Sequence, residues 1–239
     1  MSEALFRQIV SASVAPYAPA GRFAQGFARG KLLGDPAFEH LLQQGLLGDA
    51  KRVLDLGCGQ GLLASLLFAS AQRFGLADWP AGWARPPITA RVHGIELMPR
   101  DIARAKAALG SHADFELGDI ALTEFPASDV VVILDVLHYL PFDSQQQVLD
   151  RVRTALAPSG RLLLRVGDAD GGFGFRFSNW VDRVVTRIRG HRLGRLYCRP
   201  LAEWIALLRT RGFEVQSRPM SKGTLFANVL LIADLRAAR

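Results

Sequence analysis

Cysteine is nearly absent from this 239-residue chain, which holds only Cys58 and Cys198. Two thiols so far apart in sequence build neither a disulfide framework nor a zinc site, and both are expected to be free. Long apolar runs are missing too. Val130 to Leu134 and Leu225 to Ile232 stop well short of the about 18 residues that a membrane-spanning helix needs, so no span is expected. The opening MSEALFRQIVSASVAPYAPAGR scatters Glu3, Arg7 and Gln8 among apolar residues and lacks the layout of a secretory leader. The cytoplasm is the expected location. Low-complexity tracts and repeats are absent, and 21% charged residues give no signature of disorder. Acids are the scarcer charge, 22 against 29 Lys plus Arg, for a formal charge of +7. Much of that surplus falls between Arg176 and Arg199, where seven arginines meet one acid, Asp182. Such a run is either a solvated helix face or a docking surface for an acidic handle such as phosphate, a carrier protein or RNA.

Apolar residues make up 49% of the chain, enough for a full core, and an α/β chain of this length commonly folds as one unit. The pattern opens with helices. Residues 3–14, 22–32 and 36–47 are predicted helical, with Pro16 and Pro19 as breaks and Asp35 capping the third helix ahead of Pro36. Residues 1–48 are therefore expected to form a helical cap and 49–239 the main body. Apolar strands at 51–56, 91–97, 113–117, 129–134 and 161–166 then alternate with helices at 62–74, 101–109, 144–156 and 200–210. Near-continuous apolar strands between helices predict a parallel sheet covered on both faces. The last runs, Phe213 to Met220 and Thr224 to Leu235, are joined by only Ser221-Lys222-Gly223. That link is too short for a crossover helix, so an antiparallel hairpin is expected at the end of the sheet. A long excursion, Leu76 to Pro87, precedes the second strand, and its Trp79 and Trp83 either line a pocket or pin the loop.

In an open α/β sheet, ligands bind beyond the carboxyl ends of the strands, and the first strand-to-helix turn makes the closest backbone contact. Here that turn is Gly57-Cys58-Gly59-Gln60-Gly61. Alternate glycines permit positive φ and keep Cβ atoms out of a ligand's path. Leu62 stands where a dinucleotide fingerprint has its third glycine. Asp55 sharpens the choice of ligand, because a carboxylate two residues before Gly57 repels a pyrophosphate but suits a ligand carrying an ammonium and a sulfonium. S-adenosylmethionine is such a ligand.

At this point VLDLGCGQG, Val53 to Gly61, resembles the first motif of the class I S-adenosylmethionine-dependent methyltransferases, an acid followed by G-x-G-x-G. The resemblance covers roughly residues 50–235. Glu96 ends the second predicted strand, where the family holds both ribose hydroxyls with an acid; Leu97 and Met98 follow where the adenine packs. Asp119 and Ile120 come after the third strand, where an acid accepts from the adenine amino group and the next residue's backbone touches the ring. Asp135 closes the fourth strand, Val136-Leu137-His138-Tyr139 matches the fourth motif, and APSGRLLLRV is like the segment entering the fifth strand. The resemblance implies a doubly wound, mostly parallel seven-stranded sheet with a C-terminal antiparallel hairpin and a helical N-terminal cap. It also implies methyl transfer with S-adenosylmethionine as cofactor. The cofactor-binding residues it implies are Asp55, Gly57, Cys58, Gly59, Glu96, Leu97, Met98, Asp119, Ile120 and Asp135.

His138 is the candidate base, since an imidazole near neutral pKa at the mouth of the site can take a proton from an acceptor hydroxyl. Its other reading is to shape the cavity, because alignment alone drives much of a displacement at a sulfonium. Arg29 or Lys31 either meets the cofactor's carboxylate or faces solvent. Asp101 and Asp143 are expected as helix N-caps. No metal is expected, because Asp135 is followed by Val136 rather than by a second acid or Asn. The expected acceptor is a small molecule, apolar, aromatic or acyl in type, covered by residues 167–199. Phe173, Phe175, Phe177 and Trp180 there offer an apolar wall, and the arginines suit a carrier-linked acceptor, such as one on an acidic carrier protein. Nucleic acid is not the expected partner, as neither an RNA-binding module nor an Asn-Pro-Pro-Tyr type signature is present. An RNA methyltransferase and a cofactor-binding protein without transfer activity stay open as alternatives.

Overall fold

Helix α1 (Ser2–Val14) carries Leu5, Phe6, Ile9 and Val10 at the spacing of one helical face, and that face is buried. In the computed structural model, which describes residues 2–76, 79–167, 196–221 and 228–236, this face packs on α4 (Leu62–Phe74). The two prolines bend the chain into a short 3-10 turn, Ala15–Ala20, before α2 (Arg22–Gly34). Asp35 caps α3 (Pro36–Gln43), accepting from the Ala37 amide at 3.0 Å with Pro36 at the first helical position. The helix expected to reach Leu47 stops at Gln43 because Gly45 and Gly48 take φ of +58° and +52°.

The body is a seven-stranded sheet in the order β3-β2-β1-β4-β5-β7-β6. Its strands are β1 (Arg52–Leu56), β2 (Arg91–Glu96), β3 (Asp114–Leu117), β4 (Ser128–Leu134), β5 (Leu156–Gly167), β6 (Phe213–Pro219) and β7 (Asn228–Leu235). The first five pair in parallel, and β7 runs antiparallel to both β5 and β6. The C-terminal hairpin thus lies as expected at the end of the sheet, with β7 on its inner side and β6 at the edge. The turn expected at 157–160 is looped out within β5: Ser128 pairs with Leu156 but Val130 already pairs with Arg161. Helices α5 (Pro99–Leu109), α6 (Phe142–Ala155) and α7 (Leu201–Thr210) complete the alternation. Strand reversal from β2-β3 on one side to β4-β5 on the other centres the crevice on the carboxyl end of β1.

Two of the expected helix caps are corrected. Asp101 and Asp143 are not N-caps: Met98 and Pro141 hold those positions, and the acids sit inside the first turns, where a carboxylate still opposes the helix dipole. The excursion after α4 packs at the amino ends of the strands, away from the crevice. Ala84 N donates to Gln43 O at 3.2 Å and Arg91 N to Lys51 O at 2.8 Å, both acceptors preceding β1. Trp79 and Trp83 stack edge to face at 5.5 Å, Trp83 meets Phe6 of α1, and the Trp79 indole donates to Ala84 O. Pinning the loop is therefore their role.

Candidate active site

The glycine loop is built so that its first amides face inward. Gly57 N and Cys58 N both donate to Ile95 O of β2, at 2.8 and 3.2 Å, and Gly59 N donates to Glu96 Oε2 at 3.0 Å. A phosphate cradle needs such N–H groups turned toward the ligand; here a carbonyl and a carboxylate already hold them. All three glycines have positive φ, +75°, +56° and +79°. Only at Gly59 is the space of an added Cβ open. At Gly57 it would lie 2.3 Å from Val136 Cγ2, and at Gly61 2.7 Å from the Phe115 ring. Gly57 and Gly61 therefore let the loop pack, and Gly59 is the open approach. The Cys58 thiol turns inward against Gly94 and is buried, leaving only its backbone at the loop surface.

Charge in this half of the crevice is negative. Asp55, 5% exposed, has no cationic partner among the described residues, and burial followed by repulsion from Glu96 pushes its carboxyl from 3.8 to about 7. Glu96 is also raised by burial, an effect moderated by the N–H groups of Met98 (2.9 Å) and Gly59 that it accepts. Asp119 closes a local turn, its Oδ1 accepting from Ala121 N at 2.8 Å, and Gly118 N ties this loop to Glu96 O at 3.0 Å. Leu97 is 57% exposed beside them, while the Ile120 side chain is buried and its carbonyl accepts from Arg151 at 2.6 Å. Asp55, the loop, Glu96 and Met98 thus form one connected group, with Asp119 joined through the backbone.

The helical cap is fastened to this group. Tyr17, fully buried, donates from its hydroxyl to Gln60 O at 2.8 Å; the Gln60 side-chain amide donates to Ala24 O at 2.8 Å; Ser65 Oγ donates to Ser13 O at 2.7 Å. Lys31 does not stand as a free cation over the loop: its ammonium lies 2.8 Å from Asp35 Oδ2 and 3.7 Å from Asp135 Oδ2. Arg29 is exposed.

On the other side, Asp135 leaves β4 with φ +60° and is gripped by Arg165 of β5 and by Lys31. Its carboxylate is engaged by protein cations, unlike those of Asp55 and Glu96. His138 follows on a 3-10 turn, Leu137–Tyr139, and burial lowers its pKa, with Asp135 opposing in part. Gln145 organises this loop. Its side-chain amide donates to Leu137 O, Leu140 O and Tyr197 O at 3.1, 3.0 and 2.8 Å, and it accepts from Arg199 Nε at 2.8 Å. Arg199 spans Phe142 and Glu203 as well, so it belongs to the frame rather than to a basic surface. The arginines at 176–195 and Phe173, Phe175, Phe177 and Trp180 lie outside the described residues. The tie of Asp35 to Arg165, and the parts played by Gln60 and Gln145, escaped sequence reading, because the partners are distant in sequence and nothing local marks them.

A doubly wound sheet with inward-bonded loop amides and acids at successive strand ends defines a class I methyltransferase architecture. The sequence profile of the family described as a methyltransferase domain matches residues 29–218, and the chain belongs to this S-adenosylmethionine-dependent family. Among curated proteins, it is 30% identical over 117 residues to carboxy-S-adenosyl-L-methionine synthase of Chromohalobacter salexigens, covering 47% of this chain and 38% of that protein. It is 33% identical over 132 residues to trans-aconitate 2-methyltransferase of Variovorax paradoxus, covering 54% and 44%. The match thus spans less than half the length of either relative. Among solved structures, an O-methyltransferase family protein from Burkholderia thailandensis superposes with a TM-score of 0.65 at 20% identity, over 92% of this chain and 62% of that one. Magnesium protoporphyrin IX methyltransferase from Synechocystis gives 0.57 at 21% identity, over 90% and 88%. At such identity these two show the fold.

Proposed function

We propose that the chain transfers a methyl group from S-adenosylmethionine to a small acceptor of apolar, aromatic or acyl type in the cytoplasm. The observation that carries this reading is the pairing of inward-bonded loop amides with buried Asp55 and partly buried Glu96, two acids lacking cationic partners among the described residues. Such a site rejects a pyrophosphate and fits a ligand that brings its own positive charge. Asp55 would meet the ammonium, Glu96 the ribose, Asp119 and Ile120 the adenine edge with Leu97 and Met98 against its face, and the backbone of Gly57, Cys58 and Gly59 the space between. Asp135 would act at the margin, on the side of the acceptor. When bound, the cofactor supplies a methyl group on a sulfonium with a good leaving group.

His138 is then the group that accepts the acceptor's proton. Burial keeps its imidazole neutral at physiological pH, the form a base requires. His138→Ala is expected to lower kcat by about 100-fold for a hydroxyl acceptor and to flatten the acid limb of the pH profile. Unchanged activity at every pH would leave His138 as a wall. The arginines between 176 and 195 support an acidic handle on the acceptor, such as a carrier protein. The whole reading is tested by calorimetry with S-adenosylmethionine and then radiolabelled methyl transfer to phenols, hydroxyacids, carrier-linked acyl groups and RNA. Label on RNA alone, or binding without transfer to any class, contradicts it.

A further inference from the structure

Arg165 is 2% exposed, and the chemistry above makes no use of it. A guanidinium taken out of water is costly unless its donors are matched by carboxylates. Two are matched here. Its Nε donates to Asp135 Oδ1 at 2.8 Å and its Nη2 to Asp35 Oδ2 at 2.6 Å, and the fork also contacts the second oxygen of each carboxylate. Lys31 completes a group of two cations and two anions. Burial pushes both carboxyls up, but Arg165 and Lys31 outweigh it and hold both below the ordinary range, so the bridge stays charged at neutral pH.

The two carboxylates belong to different parts of the molecule. Asp35 is the N-cap of α3 in the helical cap. Asp135 ends β4 in a left-handed conformation that costs a non-glycine residue about 1 kcal/mol or more, so it persists only where its surroundings impose it. The Arg165 fork, and the Arg165 carbonyl that accepts from Asp135 N at 3.3 Å, are what impose it. The next residue, Val136, fills the space over Gly57, and His138 comes two residues later. Orientation at Asp135 is therefore inherited by the loop that faces the acceptor.

We propose that Asp35 and Arg165 are positioning residues for methyl transfer: through the Asp35–Arg165–Asp135 bridge, the N-terminal cap fixes the loop Val136 to Leu140 and with it His138. This rests on the methyl-transfer reading for its kinetic consequence but not for its structural one. The cap then does more than cover a cofactor, since its docking sets the acceptor side of the crevice.

Two variants of the full chain test the bridge. Arg165→Lys keeps the buried cation but replaces a planar fork with a point charge that serves one carboxylate well. Asp35→Asn keeps the helix cap while removing the charge. Thermal melting and calorimetry with S-adenosylhomocysteine establish that each variant folds and binds. Expected in both is amide hydrogen exchange about tenfold faster across residues 136–140, with the glycine loop 57–61 as protected as in the parent. On an acceptor found by the screen above, kcat falls about tenfold while KM for S-adenosylmethionine changes little. Unchanged exchange at 136–140, or exchange that rises equally across the glycine loop and the sheet, overturns the proposal and leaves Arg165 a core ion pair. If the parent chain fails to bind S-adenosylhomocysteine, the methyl-transfer reading falls, and the exchange comparison on the unliganded chain still decides the bridge.

Discussion

Acids stand at both ends of the strands, and their company differs. At the edge of the sheet where the parallel strands begin, Asp114 pairs with Arg91 at 2.7 Å, Asp129 with Arg52 at 3.0 Å and Asp234 of antiparallel β7 with Arg161 at 2.6 Å, each across neighbouring strands and partly in solvent. At the carboxyl ends, Asp55, Glu96 and Asp119 have no such partner among the described residues, and the first two are largely buried. Asp135 aside, which Arg165 and Lys31 engage, a fold that pairs its acids at one end and leaves those at the other without a cation has placed a demand for positive charge in the crevice. Bare buried carboxylates are costly, and a cationic ligand relieves that cost.

The largest effect should come from breaking this asymmetry on the crevice side. Asp55→Asn is expected to weaken S-adenosylhomocysteine binding about 10- to 100-fold, the scale of a charge-assisted hydrogen bond. Asp114→Asn at the opposite end should leave affinity unchanged, as an exposed pair contributes little. Calorimetry on both variants makes the comparison.

Next in size is a pH effect. Asp55 is raised in the folded chain from 3.8 to about 7, so between those values the folded form retains a proton that the unfolded form has lost. Stability of the unliganded chain therefore falls as pH rises through that window and levels off above it. Cofactor affinity has the opposite slope. The ammonium prefers ionised Asp55, so affinity should rise about tenfold per unit up to near pH 7 and then flatten. Calorimetry at pH 6 in buffers of differing ionisation enthalpy should show close to one proton released, and at pH 8 almost none.

The smallest effect concerns the clasp between cap and loop. Tyr17→Phe removes only the hydroxyl that donates to Gln60 O and should cost about 1 kcal/mol of stability, read by denaturant unfolding. Cofactor affinity should drop slightly, through a looser glycine loop.

The same contrast explains what the sequence made legible. Asp55 was legible from the glycine turn two residues on, and Glu96 and Asp119 from the resemblance to the family's motifs near successive strand ends, a local signature. Asp135 shares that signature but not their surroundings: its partner Arg165 lies 30 residues on, and Asp35 is 130 residues from Arg165. Ion pairs between distant segments leave no periodicity to read. The excursion was ambiguous for a related reason, because Trp79 and Trp83 look alike in a pocket or a plug until Phe6 and Ala84 are placed beside them. Asp101 was read as a cap because acids favour helix starts, but Pro99 begins the helix two residues earlier and leaves it to pair with Arg104 at 2.9 Å.

One titration tests the central claim most directly. S-adenosylmethionine and NAD are each added to the full chain at pH 8, with Asp55→Asn alongside. Micromolar binding of S-adenosylmethionine, lost in Asp55→Asn, with no heat from NAD is the predicted result. NAD binding at comparable affinity, or S-adenosylmethionine binding that ignores Asp55, would contradict it.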